Sequence, residues 1–344
     1  MGTKRILETL CAAVGPSGHE RRVTEAAAAL LEPLVDEVRT DALGNLIGVR
    51  YCGRPNARRL LLDAHLDEVG FLVTNIVDGF LRFRSIGSVD PRVLLNSEVT
   101  VLTPEPMPGV VACLPPHVLS REELNESIPV EKMLIDVGLS DEEARRRIPL
   151  GTPAVFRGSF GELGREQVWG KSLDDRSCFA VLLRTAELLA EQKLNVDLYF
   201  MGSVQEEISG GGAAAGIFGI DPDWAVAADV THGRTPDAET THTLLMGGGP
   251  AIGVGPNMNR AMTEELKTLA RERNIPFQLE IMSGNTGTNA WGMQVAREGY
   301  ATAVVSLPLK YMHTPAEVVR WDDMENTARL LAAYAETRGG DRDR

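Results

Sequence analysis

Short, almost wholly apolar runs recur along the chain, and amphipathic segments separate them. The runs have too few polar positions to be half-exposed strands, so they predict strands that are buried on both faces. They read RRLLLDAH at 58–65, DLYFMGSV at 197–204, DWAVAAD at 223–229 and TAVVSLP at 302–308. Apolar residues at three- and four-residue spacing predict helices from about 19 to 34, after Leu173, and from about 322 to 338. This alternation predicts a three-layer α/β domain with a largely parallel or mixed sheet.

The pattern changes between about residues 70 and 165. Strand-like stretches such as SEVTVLT and GVVACL are short in this region, and prolines divide them. Ser140, with Glu143 three positions later, forms the capping-box pattern of one short helix. Because α/β patterns lie on both sides, we predict one domain formed by residues 1–69 and 166–344, with a β-rich domain of residues 70–165 inserted into it.

Composition and charge exclude several classes of partner. The chain has 344 residues, of which 48 are acidic and 35 basic, and its formal net charge is −13. A field of that sign repels phosphate backbones and anionic lipid surfaces, so we expect neither nucleic acid nor a membrane as a partner. The first residues lack the apolar stretch of a secretory signal, and the four cysteines form no CxxC pair. We therefore expect a cytoplasmic protein with free thiols.

Polar residues with metal-binding chemistry follow the buried strands. His65 ends the first run, Glu206 and Glu207 follow the second, Asp229 ends the third, and His313 comes shortly after the fourth. In open α/β sheets, ligands bind outside the carboxyl ends of the strands. The sequence therefore predicts that these side chains converge at one edge of the sheet.

Two aspartates complete the set. Asp174 stands with Asp175 at the start of a predicted helix, and Asp67 shares a face with His65, where its carboxylate can hold the imidazole. Most of these residues also have an ordinary explanation, as a helix N-cap, a turn or an exposed loop. Asp229 favours a function, because a carboxylate at the end of an apolar run is costly without a partner.

Taken together, the residues fit one chemical task. The candidate metal ligands are His65, Asp174, Glu207, Asp229 and His313. Two histidines and three carboxylates are a typical ligand set for zinc, cobalt or manganese, and a shared carboxylate can bridge two ions. Such a pair activates water and polarises a carbonyl group. The natural general base beside that water is Glu206, which is adjacent to the ligand Glu207.

The sequence resembles metallopeptidase family forty-two, the glutamyl and deblocking aminopeptidases that include the tetrahedral aminopeptidases, historically also mislabelled as endoglucanases. The resemblance covers essentially the whole chain and consists of many ordered matches. They are PSGHE at 16–20, LDAHLDEVGF at 62–71, VDPRVL at 89–94, PGVVACLPPH at 108–117, IDVGLSDEEA at 135–144, GKSLDDR at 170–176, VQEEISGGGA at 204–213, ADVTH at 228–232, GGGPAIGVGPNMN at 247–259 and YMHTPAEVV at 311–319.

The resemblance implies a dinuclear metal-dependent aminopeptidase that hydrolyses N-terminal residues from peptides, with two zinc or cobalt ions in each subunit. The ligands would be His65, Asp174 and Asp229 for one ion and Asp174, Glu207 and His313 for the other. Asp174 would be the bridge, Glu206 the general base and Asp67 the support of His65. Related dinuclear peptidases also imply a cis peptide bond between Asp174 and Asp175.

The family fold is a zinc-peptidase-like α/β domain that carries a small β-barrel-like domain. In the family this domain helps to assemble oligomers, often dodecameric tetrahedra. The resemblance therefore implies that residues 1–69 and 166–344 form a catalytic metallopeptidase domain and that residues 70–165 form a barrel-like oligomerisation domain. We expect a homo-oligomer, a dodecamer or at least a dimer.

One position departs from the family pattern. The segment GTNA has Asn289 where the family usually has Asp. Loss of that carboxylate would weaken a contact behind the metal ligands or change the substrate preference, but it removes none of the five ligands.

Two other functions stay open at this point. A glycosidase needs two carboxylates and no metal, and the two histidines in the constellation argue against it. A non-catalytic or altered-specificity homologue on the same scaffold has Asn289 as its only indication.

Overall fold

The computed structural model describes residues 2–118, 120–121 and 128–339. It contains an eight-stranded sheet flanked by helices, a closed six-stranded barrel and a small three-stranded sheet. The barrel strands fall between the third strand of the large sheet and the helix that carries Asp174. This is the predicted class, a three-layer α/β domain with an inserted β-barrel.

The eight-stranded sheet is the centre of the α/β part. Its strands are β1 (Glu37–Thr40), β2 (Leu46–Arg50), β3 (Arg59–His65), β12 (Asp197–Ser203), β13 (Trp224–His232), β14 (Ala251–Val254), β15 (Gln278–Ile281) and β16 (Ala301–Leu309). Their order is β1-β2-β12-β3-β13-β16-β14-β15. The four central strands, β12, β3, β13 and β16, run parallel. They are the four strands predicted from the apolar runs, because a parallel sheet covered on both faces must be apolar on both.

Helices cover both faces of this sheet. They are α1 (Thr3–Ala12), α2 (Arg21–Leu31), α4 (Leu173–Leu189), α5 (Gly211–Ile220), α6 (Arg260–Glu272), α7 (Ala290–Met293) and α8 (Trp321–Thr337). One buried cluster joins α1, α2, α4, α6 and α8 to the sheet face that bears Val226 and Val305. A second cluster joins α5 and α7 to the face that bears Ala227 and Val304. Among the described residues, no helix combines the length and the hydropathy needed to cross a bilayer.

The barrel has a core of its own. Its strands are β4 (Gly70–Val77), β5 (Phe80–Ile86), β6 (Glu98–Val101), β7 (Met107–Ala112), β8 (Leu134–Asp136) and β9 (Pro153–Phe156), closed in the order β4-β5-β8-β7-β6-β9. Inside it, the Phe71 ring packs edge-on against Phe83 and Phe156, with ring centroids 5.3 and 5.1 Å away. The short helix α3 (Asp141–Arg147) starts at the predicted capping box of Ser140 and Glu143.

The three-stranded antiparallel sheet brings together two distant segments. It consists of β10 (Gly161–Leu163), β11 (Gln167–Gly170) and β17 (Glu317–Arg320). Strand β11 leads into α4, and β17 follows the loop that carries His313. Because Gly170 pairs with Glu317, the sheet places the start of α4 beside that loop.

Candidate metal centre

The five predicted ligands meet at the carboxyl-terminal edge of the central sheet. His65 is the last residue of β3, and Asp174 is the second residue of α4. Glu207 and His313 lie on the loops after β12 and β16. Asp229 lies inside β13, three residues before the strand ends, rather than at its end as the apolar run suggested. His65, Asp174 and Asp229 are buried, with 2%, 5% and 5% of their surface exposed.

Asp174 stands between the two histidines. Its Oδ1 lies 3.1 Å from Nε2 of His65, and its Oδ2 lies 3.2 Å from Nε2 of His313. Each imidazole also faces one further carboxylate. Asp229 Oδ1 is 4.0 Å from His65 Nε2, and Glu207 Oε2 is 3.2 Å from His313 Nε2. The arrangement is two donor groups that share one carboxylate.

The second nitrogen of each histidine faces a backbone carbonyl. His65 Nδ1 lies 3.1 Å from the Asp67 carbonyl oxygen, and His313 Nδ1 lies 2.5 Å from that of Ser88. A backbone carbonyl can only accept, so Nδ1 donates its proton to it, and Nε2 is the nitrogen that faces the carboxylates. This is the orientation that metal-binding histidines take.

Gly87 makes the contact with Ser88 possible. It has a φ of 78°, and a Cβ there would lie 3.0 Å from Val69 and 3.3 Å from the Glu207 carbonyl. A larger residue would push the Ser88 segment away from His313. The inserted barrel segment thus orients one of the candidate ligands.

The electrostatics of the cluster show an excess of negative charge. Burial raises the pKa of Asp229 well above its usual range, and the nearby Asp175 raises it further. Burial and the Asp174 charge raise the pKa of Glu207. Burial opposes the charged form of His313, but hydrogen bonds to Asp174 and Glu207 raise its pKa to about 11. Crowded carboxylates of this kind favour a cation among them.

The donor atoms fit divalent ions. His65, Asp174 and Glu207 offer ligand atoms that lie within 4.8 Å of one another, and so do His65, Asp175 and Asp229. The second group contains Asp175, which the sequence did not single out as a ligand. Imidazole nitrogen with carboxylate oxygen is a donor set for zinc and similar transition metals.

Asp67 holds the turn that carries the two glutamates. Its Oδ1 accepts a hydrogen bond from the Glu206 backbone N–H, and its Oδ2 accepts one from that of Glu207, both at 3.1 Å. Ser17 donates its hydroxyl to the same Oδ2 at 2.5 Å. Asp67 Oδ1 also lies 3.5 Å from His65 Nδ1. Asp67 therefore lies beside His65 and fixes the Glu206 and Glu207 backbone.

Glu206 differs from its neighbour. Its side chain forms no hydrogen bond or ion pair with any residue in the part of the chain that the structure describes. Burial raises its pKa to about 7, and the charge of Glu207 adds to the effect while His65 opposes it. A carboxylate without a protein partner at the edge of this cluster is free to accept a proton.

Two further carboxylates fix strained backbone in the site. Glu317 Oε1 accepts from the His313 N–H at 2.7 Å, and Oε2 accepts from the Asp174 N–H at 3.0 Å. Glu20 accepts from the N–H of Gln205 at 3.1 Å. Gln205 and His313 both have φ near 60°, a left-handed conformation that needs such support.

A buried ionic network lies behind Asp174. Glu68 accepts from Lys171 Nζ at 2.5 Å and from Arg176 at 2.9 Å, and Ser172 donates to it at 2.6 Å. Burial opposes ionisation of Glu68, but Lys171 and Arg176 lower its pKa to about 2. Arg176 is itself fully buried and donates to the Leu10 carbonyl. The network joins α1, the loop after β3 and the start of α4.

Asn289 faces Asp63. Its Nδ2 donates to Asp63 Oδ2 and to Ser203 Oγ, both at 2.8 Å. Burial raises the pKa of Asp63 to about 7, and the hydrogen bonds from Ser203 and Asn289 oppose the rise. Asn289 therefore places an amide donor, and not a second carboxylate, against Asp63.

Sequence reasoning missed Glu317, Glu20, Glu68 and Asp63. All four lie in the motifs PSGHE, LDAHLDEVGF and YMHTPAEVV, which is the only signal that could have found them. Their partners are backbone N–H groups or distant side chains, which no local spacing reveals. The predicted cis peptide bond between Asp174 and Asp175 is confirmed.

This combination of fold and site is that of a peptidase. The family model of the M42 glutamyl aminopeptidases matches residues 44–330, and the chain belongs to that family of peptidase hydrolases. It is 35% identical to the lysyl aminopeptidase of Pyrococcus furiosus over 97% of this chain and 95% of that protein.

Two solved peptidase structures have the same fold as this chain. The aminopeptidase APDkam598 from Desulfurococcus kamchatkensis superimposes with a TM-score of 0.90 at 34% identity, over 97% of this chain and 94% of that one. The TET1 peptidase of Pyrococcus horikoshii, which can assemble into a tetrahedron or a large octahedral shell, gives 0.86 at 29% identity, over 98% and 100%.

Proposed function

We propose that the protein is a dinuclear metal-dependent aminopeptidase that removes N-terminal residues from peptides. The observation that carries the proposal is the position of Asp174, whose two carboxylate oxygens each face one imidazole. The proposed ligands are His65, Asp174 and Asp229 for one ion and Asp174, Glu207 and His313 for the other. When bound, two zinc or cobalt ions would polarise the scissile carbonyl and lower the pKa of a bound water.

The residues around the ions have separate roles in this proposal. Glu206 takes a proton from the attacking water and passes it to the leaving amine. Asp67 orients His65 and holds the backbone of Glu206 and Glu207. Glu317 holds the backbone of Asp174 and His313, so that the bridge and the last ligand keep a fixed separation.

We also propose a homo-oligomer, most simply a dodecamer, assembled through the inserted domain of residues 70–165. The support is the assembly of the Pyrococcus horikoshii TET1 peptidase and the apolar surface of the barrel segment. Leu114, Val118 and Leu150 are more than half exposed, and large exposed apolar groups mark interaction surfaces. Four free cysteines support a cytoplasmic location.

A panel of aminoacyl p-nitroanilides, assayed with chelator and with added metal, tests the proposed activity. We expect turnover to be lost with chelator and to return with zinc or cobalt. Metal analysis of the purified protein should give two ions for each subunit. Activity that survives complete removal of metal would favour a glycosidase-like or other metal-free reaction, and no turnover of any substrate with either metal would make the chain a non-catalytic homologue.

The names of the relatives do not decide which N-terminal residue is removed. The family description is glutamyl, whereas the Pyrococcus furiosus relative is a lysyl aminopeptidase. The preference of this chain therefore has to come from its own side chains.

A further inference from the structure

A carboxylate outside the metal cluster lies against two strands of the site. Glu280 is a half-buried residue of β15. Its Oε1 accepts a hydrogen bond from the Thr231 hydroxyl at 2.5 Å, and its Oε2 accepts one from the Ser306 hydroxyl at 2.6 Å. Within the described residues, no Lys, Arg or His forms an ion pair with it. Among the described residues, the Glu280 carboxylate therefore has two neutral hydroxyl donors and no cationic partner.

The two hydroxyls connect Glu280 to the metal centre. Thr231 comes two residues after Asp229 on β13, and alternate residues of a strand share a face. Ser306 is the register partner of Asp229 on the parallel strand β16, so its side chain points to that face as well. Thr231 lies about 7 Å along the strand from Asp229, at the usual rise per residue. Glu280 is therefore fixed beside the proposed ligand.

Strand β14, which lies between β16 and β15, has small residues at the positions between Glu280 and Ser306. On β14, Ala251 pairs with Ser306 and Gly253 pairs with Glu280. A Cβ on Gly253 would lie 3.1 Å from Val304 and 3.3 Å from the sulfur of Met282, on the same face. Because these positions carry a methyl group or no side chain, the Glu280 side chain can lie across β14 towards the metal centre.

A carboxylate held by neutral hydroxyls in a half-buried place favours a cationic partner. The substrate residue whose carbonyl is attacked has its side chain next to the metal ions. An N-terminal lysine has a charged amine on a four-carbon stem, and arginine has a similar reach. Either side chain is long enough to reach from the metal centre at Asp229 to the Glu280 carboxylate beside Thr231, a separation of about 7 Å along the strand.

We propose that Glu280 is a specificity-determining residue that binds the cationic side chain of an N-terminal Lys or Arg of the peptide substrate. The proposal rests on the proposed aminopeptidase function. The Thr231 and Ser306 hydroxyls hold the carboxylate in place, so its position does not depend on the substrate.

The test compares kcat/KM for lysyl, arginyl, leucyl, norleucyl and glutamyl p-nitroanilides. Norleucine has the lysine stem without its charge. The native enzyme should prefer lysyl over norleucyl substrate by about tenfold or more. Glu280→Gln should lower kcat/KM for lysyl and arginyl substrates by about tenfold or more and leave leucyl and norleucyl hydrolysis within about twofold. The matched control is Glu272→Gln, on the exposed surface of α6, which should leave every substrate unchanged.

The outcomes separate this proposal from the proposed function. Equal loss for all five substrates in Glu280→Gln would mean that Glu280 only anchors β15, and the specificity role would be wrong. A native enzyme that prefers glutamyl, leucyl or norleucyl substrate over lysyl would also overturn it, while the aminopeptidase assignment would stand. The substrate preference of the native enzyme is measured without a variant. The proposal can therefore be contradicted even if Glu280→Gln does not fold. If the enzyme hydrolysed none of the five substrates with either zinc or cobalt, the proposed aminopeptidase function itself would be wrong.

Discussion

Glu206 and Glu207 are neighbours in sequence with different surroundings. Glu207 Oε2 lies 3.2 Å from the His313 imidazole, whereas the Glu206 side chain has no partner among the described residues. If Glu206 is the base, Glu206→Gln should keep both ions and lose about two to four orders of magnitude in kcat, the usual contribution of a positioned base. Glu207→Gln should instead lose metal, because an amide oxygen is a weaker ligand than a carboxylate. Bound metal and peptide hydrolysis should be measured on both variants.

The exposed Glu191, two residues after α4 ends, gives a control of the same chemistry. Glu191→Gln should retain native metal content and native turnover. A Glu206→Gln enzyme with full metal and near-normal kcat would place the base elsewhere in the cluster.

Asn289 and Asp63 form a buried pair in which one amide and one carboxylate are matched. Asn289→Asp would put two carboxylates side by side, where they cannot both ionise. We expect the free energy of unfolding to fall by about 1–3 kcal/mol. The exchanged double variant, Asp63→Asn with Asn289→Asp, should recover most of this loss because it restores one amide and one carboxylate. Denaturant unfolding of both single variants and the double variant, at one protein concentration, measures the coupling.

Additive losses in that cycle would contradict the pairing. They would mean that Asn289 and Asp63 are not energetically coupled and that each is held by other neighbours.

Strand β17 is the element that ties α4 to the loop after β16. Glu317 is 2% exposed and accepts from two backbone N–H groups. The two backbone N–H groups each donate to a separate oxygen of Glu317, and the amide of Glu317→Gln has only one oxygen to accept them. One of the two hydrogen bonds is therefore lost, and the backbone of Asp174 should move away from that of His313. We expect metal affinity to fall by about 10- to 100-fold, the usual effect of disturbing a group that orients metal ligands. Competition with a chelator of known affinity would measure this change.

Glu162→Gln, on the exposed strand β10, serves as its control. Unchanged metal affinity in Glu317→Gln would show that the helix and the loop hold their positions without β17.

The central elements could be predicted from the sequence because their signal is local. Strands β3, β12, β13 and β16 are apolar on both faces, and the end of β3 places His65 at the edge of the sheet. The apolar run predicts Asp229 at the end of its strand, but Asp229 lies three residues before that end. The barrel order β4-β5-β8-β7-β6-β9 could not be predicted, since it depends on pairing between short strands far apart in sequence. The roles of Glu317 and Glu20 could not be predicted for a related reason. Their partners are backbone N–H groups, and every residue except proline has one, so the sequence does not identify which one is bound.

At the scale of the whole molecule, the assembly is open to a direct measurement. Light scattering at micromolar concentration should give a multiple of the 37.3 kDa chain mass, at least two and most simply twelve. The physical reason is the exposed apolar surface of the inserted domain, which association would bury. A strictly monomeric mass would remove the proposed role of residues 70–165 in assembly.

The cluster takes its members from both ends of the chain, from His65 before the barrel to His313 near the last strand. At about 5–20 residues per second, a ribosome adds the second histidine roughly ten to fifty seconds after the first. During that time the growing chain gains Asp174, Glu207 and Asp229 but has no complete pair of donor groups. If these five residues are the ligands, a chain that stops before His313 is released without a complete peptide-cleaving centre. The order of synthesis would then delay peptide cleavage until His313 has been added.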